Sequence, residues 1–348
     1  MEGIGLVFAG GGGKGSYEIG VWKYLHEIGL DKYIKVVSGT SVGALNAALF
    51  VGSNYEMAEN IWLNISQEKI LTPKKISAED VMRWLVSNGL NIAPAITTGV
   101  SKVAAGTMMI AEKTVQMIAT RINKDYMFSR DGIKDMISEG LDCAQLQSSN
   151  IPCYVTCFSC NGLKPKYFQL NKYSSDEITT LLLASSAIPI IFPSEKFKGE
   201  EYCDGGIPLL GDNVPIQPVY DKGIEMMIVV YLSRDSFVDK KKFPNTKIIE
   251  IVPRKDLGDT LTGTLDFSPE GVSERLQSGY EDAKRIIQPM YEMAKMRVIN
   301  HGMLQKARKD NIEFEREKQR LNENFAKIML KLRCDEFNEI LSELTKEK

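Results

Sequence analysis

The sequence predicts an α/β fold in which a mostly parallel sheet is covered by helices. The first 50 residues alternate strand-like and helix-like segments, which is typical of a βαβ unit. Two later runs, Met226–Leu232 and Lys247–Val252, are apolar enough to form buried strands. Hydrophobic residues make up 43% of the 348 residues, so the chain can bury a substantial core and we do not expect global disorder.

The N-terminal elements follow from apolar spacing and from the positions of glycines. Residues 4–9 are predicted to form the first strand, and a glycine-rich loop follows it. The segment Tyr17–Ile28 has helical spacing, and Gly29 is expected to end that helix. A second strand is predicted over residues 33–37 and a second helix over residues 44–50.

Residues 91–120 differ from the rest of the chain, because they are rich in Ala, Thr, Met and Gly and carry few charges. The preceding residues 54–90 have a mixed, helical pattern. Two interpretations of residues 91–120 stay open. The segment is either an insertion that forms a lid over the core or a buried helix.

The later elements are a hairpin, a helix and a long helical end. The hairpin is predicted over Ile151–Leu170 with its turn at Asn161-Gly162, and a helix over Glu177–Ser186 follows. Residues 270–300 are predicted to be helical, and a charged tail continues from residue 303. One face of the tail is apolar, and that face could pack on its own domain or pair with another chain. Its apolar positions are Phe314, Leu321, Phe325, Ile328 and Leu332.

Composition and charge argue against several classes of function. The formal net charge is −2, with 43 basic and 45 acidic residues, so we expect no nucleic-acid partner. No segment reaches 18 uncharged apolar residues, and the N-terminus lacks the basic region of a signal peptide. Six cysteines do not form a disulfide framework, which suits a reducing cytoplasm. Cys153, Cys157 and Cys160 are expected to be buried strand residues, and we expect neither a metal nor a cofactor.

A candidate nucleophile lies in the segment Gly39-Thr40-Ser41-Val42-Gly43, between the second strand and the second helix. This strand–turn–helix context is the one that a G-x-S-x-G nucleophile elbow requires. Glycines two residues on either side avoid the collisions that side chains would cause in such a tight turn. Ser41 is therefore the candidate nucleophile, although an ordinary glycine-rich turn has the same local pattern.

The loop Gly10-Gly11-Gly12-Gly13-Lys14-Gly15 is the second candidate site. It satisfies the dinucleotide pattern G-x-G-x-x-G, but the carboxylate expected near the end of the next strand is missing. A P-loop is excluded, because Gly15 stands where Ser or Thr is required. Free glycine amides at a helix N-terminus can instead bind an oxyanion. Lys14 could orient this loop, attract an anionic head group or simply be a solvated lysine.

A hydroxyl nucleophile needs a base, and the chain offers few candidates. Asp204, in the segment Asp204-Gly205-Gly206, follows a strand-like run and could act directly on Ser41. His26 is expected to be structural. His301 would reproduce the Ser–Asp–His order of α/β-hydrolases, but it adjoins the charged tail, so Asp204 alone is the preferred base.

Together, the glycine loop, the elbow and the D-G-G segment resemble the patatin-like phospholipase family. Weaker similarities are Ser186-Ala187-Ile188-Pro189, Phe192-Pro193, Ile207, Asn213, Pro215, Leu265-Asp266-Phe267 and Gly279-Tyr280. The resemblance implies a three-layer α/β/α sandwich and a catalytic dyad without histidine. In that dyad Ser41 is the nucleophile, Asp204 is the base and the amides of Gly11, Gly12 and Gly13 form the oxyanion hole. Bacterial members often carry alanine where this chain has Gly13, a difference expected to be harmless.

The resemblance also implies hydrolysis of phospholipid or related acyl esters without a metal, and hence peripheral membrane contact. The candidate contact residues are Met108, Met109, Ile110, Met117 and Ile118. It divides the chain into a catalytic domain over 4–218, the remainder of the α/β core over 219–300, and a helical tail over 301–348 that could form a homo-oligomer. The alternatives are a Ser-His-Asp esterase that uses His301, or an inactive acyl- or nucleotide-binding module.

Overall fold

The computed structural model describes residues 3–72, 128–189, 191–208 and 210–346. The chain divides into two compact units, Met1–Ile286 and Ile287–Lys348. The expected insertion at 91–120 lies outside the described residues, as do its five candidate membrane-contact residues and most of the segment 54–90.

The strands of the first unit form one mixed sheet. They are β1 (Ile4–Phe8), β2 (Ile34–Thr40), β3 (Cys153–Ser159), β4 (Lys164–Gln169), β5 (Glu195–Phe197), β6 (Glu200–Asp204), β7 (Met226–Val230) and β8 (Lys247–Ile251). Their order is β5-β6-β3-β2-β1-β7-β8, and β4 also pairs with β3. The pairs from β3 through β2, β1 and β7 to β8 are all parallel, whereas β4, β5 and β6 pair antiparallel. The prediction of a mostly parallel α/β sheet is confirmed.

Helices lie between β1 and β2 and between β2 and β3 along the chain. The α-helices of the described residues are α1 (Ser16–Glu27), α2 (Val42–Gly52), α3 (Tyr55–Asn64), α4 (Gln67–Ile70), α5 (Asp131–Gly140), α6 (Cys143–Ser148), α7 (Ser175–Ser185), α8 (Gln217–Tyr220) and α9 (Pro269–Lys346). Gly29 follows α1 with φ 70°, a backbone conformation that favours glycine and ends the helix as predicted. The predicted hairpin is the pair β3–β4.

The central strands are buried because helices cover the sheet. In β1 and β7, every residue after the first is buried, and in β2 only Lys35 is exposed. This burial on both faces explains why these strands read as continuous apolar runs rather than as alternating patterns.

The mixed pairing of β3 brings the ends of β2 and β6 together. Strand β4 occupies one side of β3 along Tyr154–Ser159, so β2 and β6 must share the other side. The parallel strand β2 pairs there until Thr40, which lies opposite Thr156. The antiparallel strand β6 continues from the next residue, with Asp204 opposite Cys157. Two strands that run in opposite directions therefore end at neighbouring positions of β3.

The first turns of α9 belong to the first unit and pack closely on α1. A Cβ on Gly20 would overlap the carbonyl of Leu276, and a Cβ on Gly279 would overlap the carbonyl of Tyr17. The two backbones can approach this closely because both helices carry glycine at the contact. This packing fixes α1, and with it the end of the glycine loop that precedes α1.

The second unit is the rest of α9, which has Pro289 within the helix. The five apolar residues of the predicted stripe, from Phe314 to Leu332, are all exposed. His301 is also exposed and its Nε2 lies 2.9 Å from the side-chain nitrogen of Gln305, one turn further along. Among the described residues, no helix is both long enough and apolar enough to span a bilayer.

Candidate active site

Ser41 lies in a strained turn between β2 and α2. Its φ of 56° and ψ of −125° are unusual for a residue with a side chain. A Cβ on Gly39 would overlap the carbonyl of Gly43, and a Cβ on Gly43 would lie 2.5 Å from the carbonyl oxygens of Phe8 and Ala9. The two glycines of the motif are therefore required by the turn and by β1 beside it. This geometry is that of the predicted nucleophile elbow.

A second serine supports the backbone of this turn. The Ser41 amide donates a hydrogen bond of 2.9 Å to Ser185 Oγ, at the end of α7. The Ser185 hydroxyl in turn donates to the carbonyl of Thr156 over 2.6 Å. The last residue of β2 is held separately, because the Thr40 hydroxyl donates to the carbonyl of Asp212 over 2.8 Å. Ser41 itself is only 5% exposed.

Replacement of Ser185 by alanine should destabilise this turn. The change leaves the buried Ser41 amide and the Thr156 carbonyl without their hydrogen-bond partner, so we expect the free energy of unfolding to fall by about 1–3 kcal/mol. Chemical denaturation measures this loss. Ser138→Ala is the control, because Ser138 is exposed on α5 and its loss should change stability by less than about 0.5 kcal/mol. Equal stability of the Ser185 and Ser138 variants would contradict the inference that Ser185 supports the turn.

Asp204 ends β6 beside this turn, and its carboxylate is buried. The residue is 6% exposed, and its Oδ1 accepts a hydrogen bond of 2.8 Å from the Gly206 amide. Among the described residues, Oδ2 has no partner within hydrogen-bond distance and angle. The approach of the Ser41 hydroxyl to this carboxylate is therefore looser than a regular hydrogen bond, as is common in catalytic sites without substrate.

Burial raises the pKa of Asp204 to about 6, against an ordinary value of 3.8. Three neighbours counteract the burial by favouring the charged form, and they are, in decreasing order, the Ser41 hydroxyl, the Gly206 amide and the Arg130 cation. A carboxylate with such a pKa is ionised at neutral pH and is a stronger proton acceptor than an exposed aspartate. The Ser41 hydroxyl is one of the groups that act on this carboxylate.

The glycine loop lies next to Ser41 because β1 and β2 are parallel neighbours. A Cβ on Gly10 would lie 3.2 Å from the Ser41 Cβ. Asn213 fixes the loop with two hydrogen bonds, in which its side-chain amide donates to the Gly10 carbonyl and its own carbonyl accepts from the Gly10 amide, both over 3.1 Å. Gly12 has φ 58°, which favours glycine. The three sequence-predicted segments thus converge on one place.

Gly13 and Lys14 pack against the segment before α9. A Cβ on Gly13 would overlap the carbonyl oxygen of Asp266, so the packing here leaves room for the glycine that the chain carries and not for alanine. The Lys14 side chain passes directly over Gly263 and is partly buried, and burial lowers the pKa of its ammonium. Asp256 and Asp259 oppose this shift. Lys14 is not a freely solvated lysine.

Arg130 is a buried residue near the site that the sequence motifs did not indicate. It is 5% exposed, and its guanidinium donates to backbone and side-chain oxygens at the end of α7, close to Ser185. The charges of Arg130 and Asp204 favour each other, because Asp204 acts to raise the pKa of Arg130 and Arg130 acts to lower the pKa of Asp204. An isolated arginine at the start of a helix has no local sequence pattern that would reveal this position.

The two histidines have other surroundings. His26 Nδ1 lies 2.6 Å from Asp31, and its ring stacks on Tyr55, as expected for a structural residue. His301 lies in the second unit and contacts Gln305. Cys153 and Cys157 are buried in β3, as predicted, whereas the prediction was wrong for Cys160, which is half-buried and follows the end of β3. In the part of the chain that the structure describes, no cluster of three or more histidine, cysteine or acidic residues could hold a metal ion.

The chain is similar to one protein-family model and to a curated protein. The family model described as patatin-like phospholipase matches residues 6–220, a range that contains the glycine loop, Ser41 and Asp204. One curated relative is the lysophospholipase nte1 of Aspergillus terreus (strain NIH 2624 / FGSC A1156), which is 47% identical over 47 residues. That match covers 14% of this chain and only 3% of the length of the relative.

Two solved structures are also similar to the chain. VipD from Legionella pneumophila has a TM-score of 0.49 and 16% identity, with 83% of this chain and 67% of that chain covered. The type III effector protein ExoU has a TM-score of 0.40 and 18% identity, with 83% of this chain and 53% of that chain covered. Because the family model covers more than half of the sequence, the chain belongs to the patatin-like phospholipase family.

Proposed function

We propose that the chain is a lipid acyl hydrolase in which Ser41 is the nucleophile and Asp204 is its base. The observation that supports this most is the meeting of the ends of β2 and β6 on one side of β3. In that meeting a hydroxyl in a strained turn lies beside a buried carboxylate, one oxygen of which has no hydrogen-bond partner among the described residues. Family membership supports the class of substrate, and the lysophospholipase relative is consistent with it.

The reaction follows from these two groups. Asp204 accepts the proton of the Ser41 hydroxyl as its oxygen attacks the carbonyl carbon of the ester. The tetrahedral intermediate then collapses, and the proton passes from Asp204 to the leaving alcohol. Water attacks the resulting acyl-enzyme, with Asp204 again accepting a proton. That proton passes to the Ser41 oxygen as its bond to the acyl carbon breaks, so the fatty acid is released and the hydroxyl is restored. No histidine is needed, because the pKa of Asp204 is already raised by burial.

The glycine loop supplies the oxyanion hole in this proposal. The amides of Gly10 and Lys14 already donate to the carbonyls of Asn213 and Gly11. The amides of Gly11, Gly12 and Gly13 are therefore the candidates that could bind the developing negative charge. Loss of one such donor costs about 3 kcal/mol of transition-state stabilisation in comparable sites.

Gly13→Ala should disturb this loop. The added Cβ would overlap the Asp266 carbonyl, so the loop backbone must shift and its amides leave the oxyanion position. We expect labelling of Ser41 by a fluorophosphonate probe to slow by about tenfold or more, since a misplaced donor is lost to the transition state.

The control for this change is Gly302→Ala, because no atom lies within 4 Å of the added Cβ and the residue is in a helix. That variant should label at the wild-type rate and gain about 0.5–1 kcal/mol of stability. Wild-type labelling of Gly13→Ala would show that the loop amides do not contribute.

The test of the proposed function is hydrolysis of defined lipids by the purified chain. Phosphatidylcholine, lysophosphatidylcholine and a p-nitrophenyl acyl ester are compared, with release of fatty acid measured by mass spectrometry. A fluorophosphonate probe is applied in parallel, because it labels only an activated serine. Labelling at Ser41 with release of fatty acid supports the proposal. A folded protein that neither labels nor hydrolyses would instead be the inactive acyl- or nucleotide-binding module.

The same proposal includes peripheral membrane contact. It also divides the chain into a catalytic domain over 4–218, a remainder of the core over 219–300 and a tail over 301–348. An insoluble substrate requires at least transient contact with a bilayer. The tail is the candidate for homo-oligomer formation, because its apolar stripe is exposed in the second unit. Light scattering of the full chain tests this point, since a monomer at all concentrations would exclude it.

A further inference from the structure

Arg130 is a buried cation whose position is not explained by the elbow, the glycine loop or the D-G-G segment. It directly precedes α5 and is 5% exposed. The adjacent amide of Ser129 donates to the carbonyl of Thr72 over 3.1 Å, so the backbone is tied down at this point. A buried arginine is costly unless its donors are satisfied, so its partners indicate what it does.

The guanidinium of Arg130 binds the C-terminal end of α7. It donates to the carbonyl of Leu183, to the carbonyl of Ser186 over 3.1 Å and to the Ser186 hydroxyl over 3.1 Å. The last carbonyls of a helix have no partner within the helix, so a planar group with several donors suits this place. The Phe192 ring lies under the guanidinium, with its centre 4.8 Å from Cζ.

The segment that Arg130 holds contacts the backbone of both catalytic candidates. Ser185 Oγ accepts the hydrogen bond from the Ser41 amide. The carbonyl of Ala187 accepts from the Asp204 amide over 3.0 Å, and the carbonyl of Ser185 accepts from the Gly205 amide over 3.4 Å. The backbones of Ser41 and Asp204 are therefore both hydrogen-bonded to one short segment, Leu183–Ala187. Arg130 binds this segment through three hydrogen bonds, and the Ser185 hydroxyl ties it to β3.

We propose that Arg130 is a positioning residue that sets the distance between Ser41 and Asp204 by fixing the segment Leu183–Ala187. This inference rests on the proposed function. Arg130 does not touch the reacting atoms, and it acts through Ser185, Ser186 and Ala187. A shift of about 1 Å in such a segment is enough to reduce a rate by a large factor, because the attack needs close alignment.

The charge of Arg130 has a second effect on the same pair. The groups that act on Asp204 are the Ser41 hydroxyl, the Gly206 amide and Arg130. Burial raises the pKa of the nearby Cys157 thiol, and the hydrogen bond with Cys160, followed by burial, raises the pKa of the Cys203 thiol, so both thiols are neutral. Glu195 also faces Arg130, with its carboxylate 4.0 Å from Nε, and Lys134 of α5 acts on Glu195 in turn. Arg130 is the one of these groups that is positively charged and acts on Asp204 directly, so its removal should raise the pKa of Asp204 further.

The test compares Arg130→Met, Arg130→Lys and the control Arg234→Met, which makes the same change at an exposed position. For each protein, kcat and KM for a p-nitrophenyl acyl ester are measured between about pH 4.5 and 8.5, together with the thermal midpoint. Arg130→Met should lower kcat by about tenfold or more and move the acidic limb of the profile to higher pH. Arg130→Lys loses the three hydrogen bonds of the guanidinium, so kcat should fall several-fold. The positive charge remains, so the acidic limb of the profile should not move.

A purely structural arginine predicts a different result. Its variants would show a lower thermal midpoint but wild-type kcat and an unmoved acidic limb, which would overturn the inference. If Arg130→Met fails to fold, Arg130→Lys decides alone, and wild-type kcat in that variant overturns the inference. An inactive wild-type chain that does not react with a fluorophosphonate would overturn the proposed function and this inference with it. Normal Arg130 variants of an active enzyme would overturn this inference only.

Discussion

Replacement of Ser41 by alanine should reduce ester turnover by about four orders of magnitude or more, because the acyl-enzyme cannot form without the hydroxyl. The fold should persist, since Ser41 Oγ is not required by the hydrogen bonds that fix the turn. Those bonds use the Ser41 amide, which alanine keeps. Steady-state hydrolysis of a p-nitrophenyl acyl ester and labelling by a fluorophosphonate probe measure the loss, and circular dichroism monitors the fold.

The strained backbone of Ser41 provides an independent check on the same position. Ser41→Ala keeps the strain, because alanine also has a Cβ at φ 56°. Ser41→Gly relieves it, so this variant should be more stable than Ser41→Ala by about 1 kcal/mol while being equally inactive. The exposed Ser138→Ala should keep both activity and stability. Turnover or labelling in either Ser41 variant would mean that another residue is the nucleophile.

The sequence predicted the separate segments of this site more readily than the contact between them. The elbow and the glycine loop are local patterns, in which φ, close packing and the following helix all depend on neighbouring residues. Asp204 was recognised from its glycines and from the family resemblance. Its approach to Ser41 depends on β6, which pairs antiparallel with β3 just beyond the end of β2. No short-range pattern specifies that pairing, because it joins segments more than 40 residues apart in the chain.

Long-range packing also explains what sequence reasoning missed at Gly13 and Arg130. The sequence motif does not show that a side chain is excluded at Gly13, because the carbonyl of Asp266, which occupies the space of a Cβ there, belongs to a segment far along the chain. Arg130 acts on α7, more than 50 residues further along the chain. In both cases the constraint comes from a distant segment that periodicity and motif spacing do not identify.

Asp204 should make stability and activity respond to pH in opposite directions. As a base it must be ionised, so kcat/KM should fall as the pH drops below about 6. The free energy of unfolding should change in the opposite direction and fall as the pH rises. The pKa is raised on folding from about 3.8 to about 6, so the folded state binds this proton more tightly than the unfolded state does. The stabilising contribution is complete below about pH 3.8 and is lost as the pH rises through about 6.

Asp204→Asn separates the two effects. Asparagine can still accept the Gly206 amide through its oxygen but cannot take up the Ser41 proton, so turnover should fall by about three orders of magnitude or more. The variant carries no buried charge, so at pH 8 it should be more stable than the wild type, by at most about 3 kcal/mol for a pKa raised from 3.8 to about 6. Well below about pH 3.8 the difference should vanish, because Asp204 is then largely protonated in both the folded and the unfolded wild type.

Thermal unfolding of Asp204→Asn and wild type at a series of pH values measures how this difference in stability changes with pH. Asp212→Asn is the matched control, since Asp212 is also a partly buried aspartate of the same segment, but its carboxylate accepts a hydrogen bond from Tyr167 over 2.6 Å. Asp212→Asn should keep the acidic limb near pH 6, because the carboxylate that it removes contacts Tyr167 and is not among the groups that act on Asp204. An Asp204→Asn protein that keeps its turnover, or whose stability relative to wild type does not change with pH, would contradict the assignment. A buried carboxylate that destabilises the fold at neutral pH is best explained by a requirement for that charge in the proposed reaction.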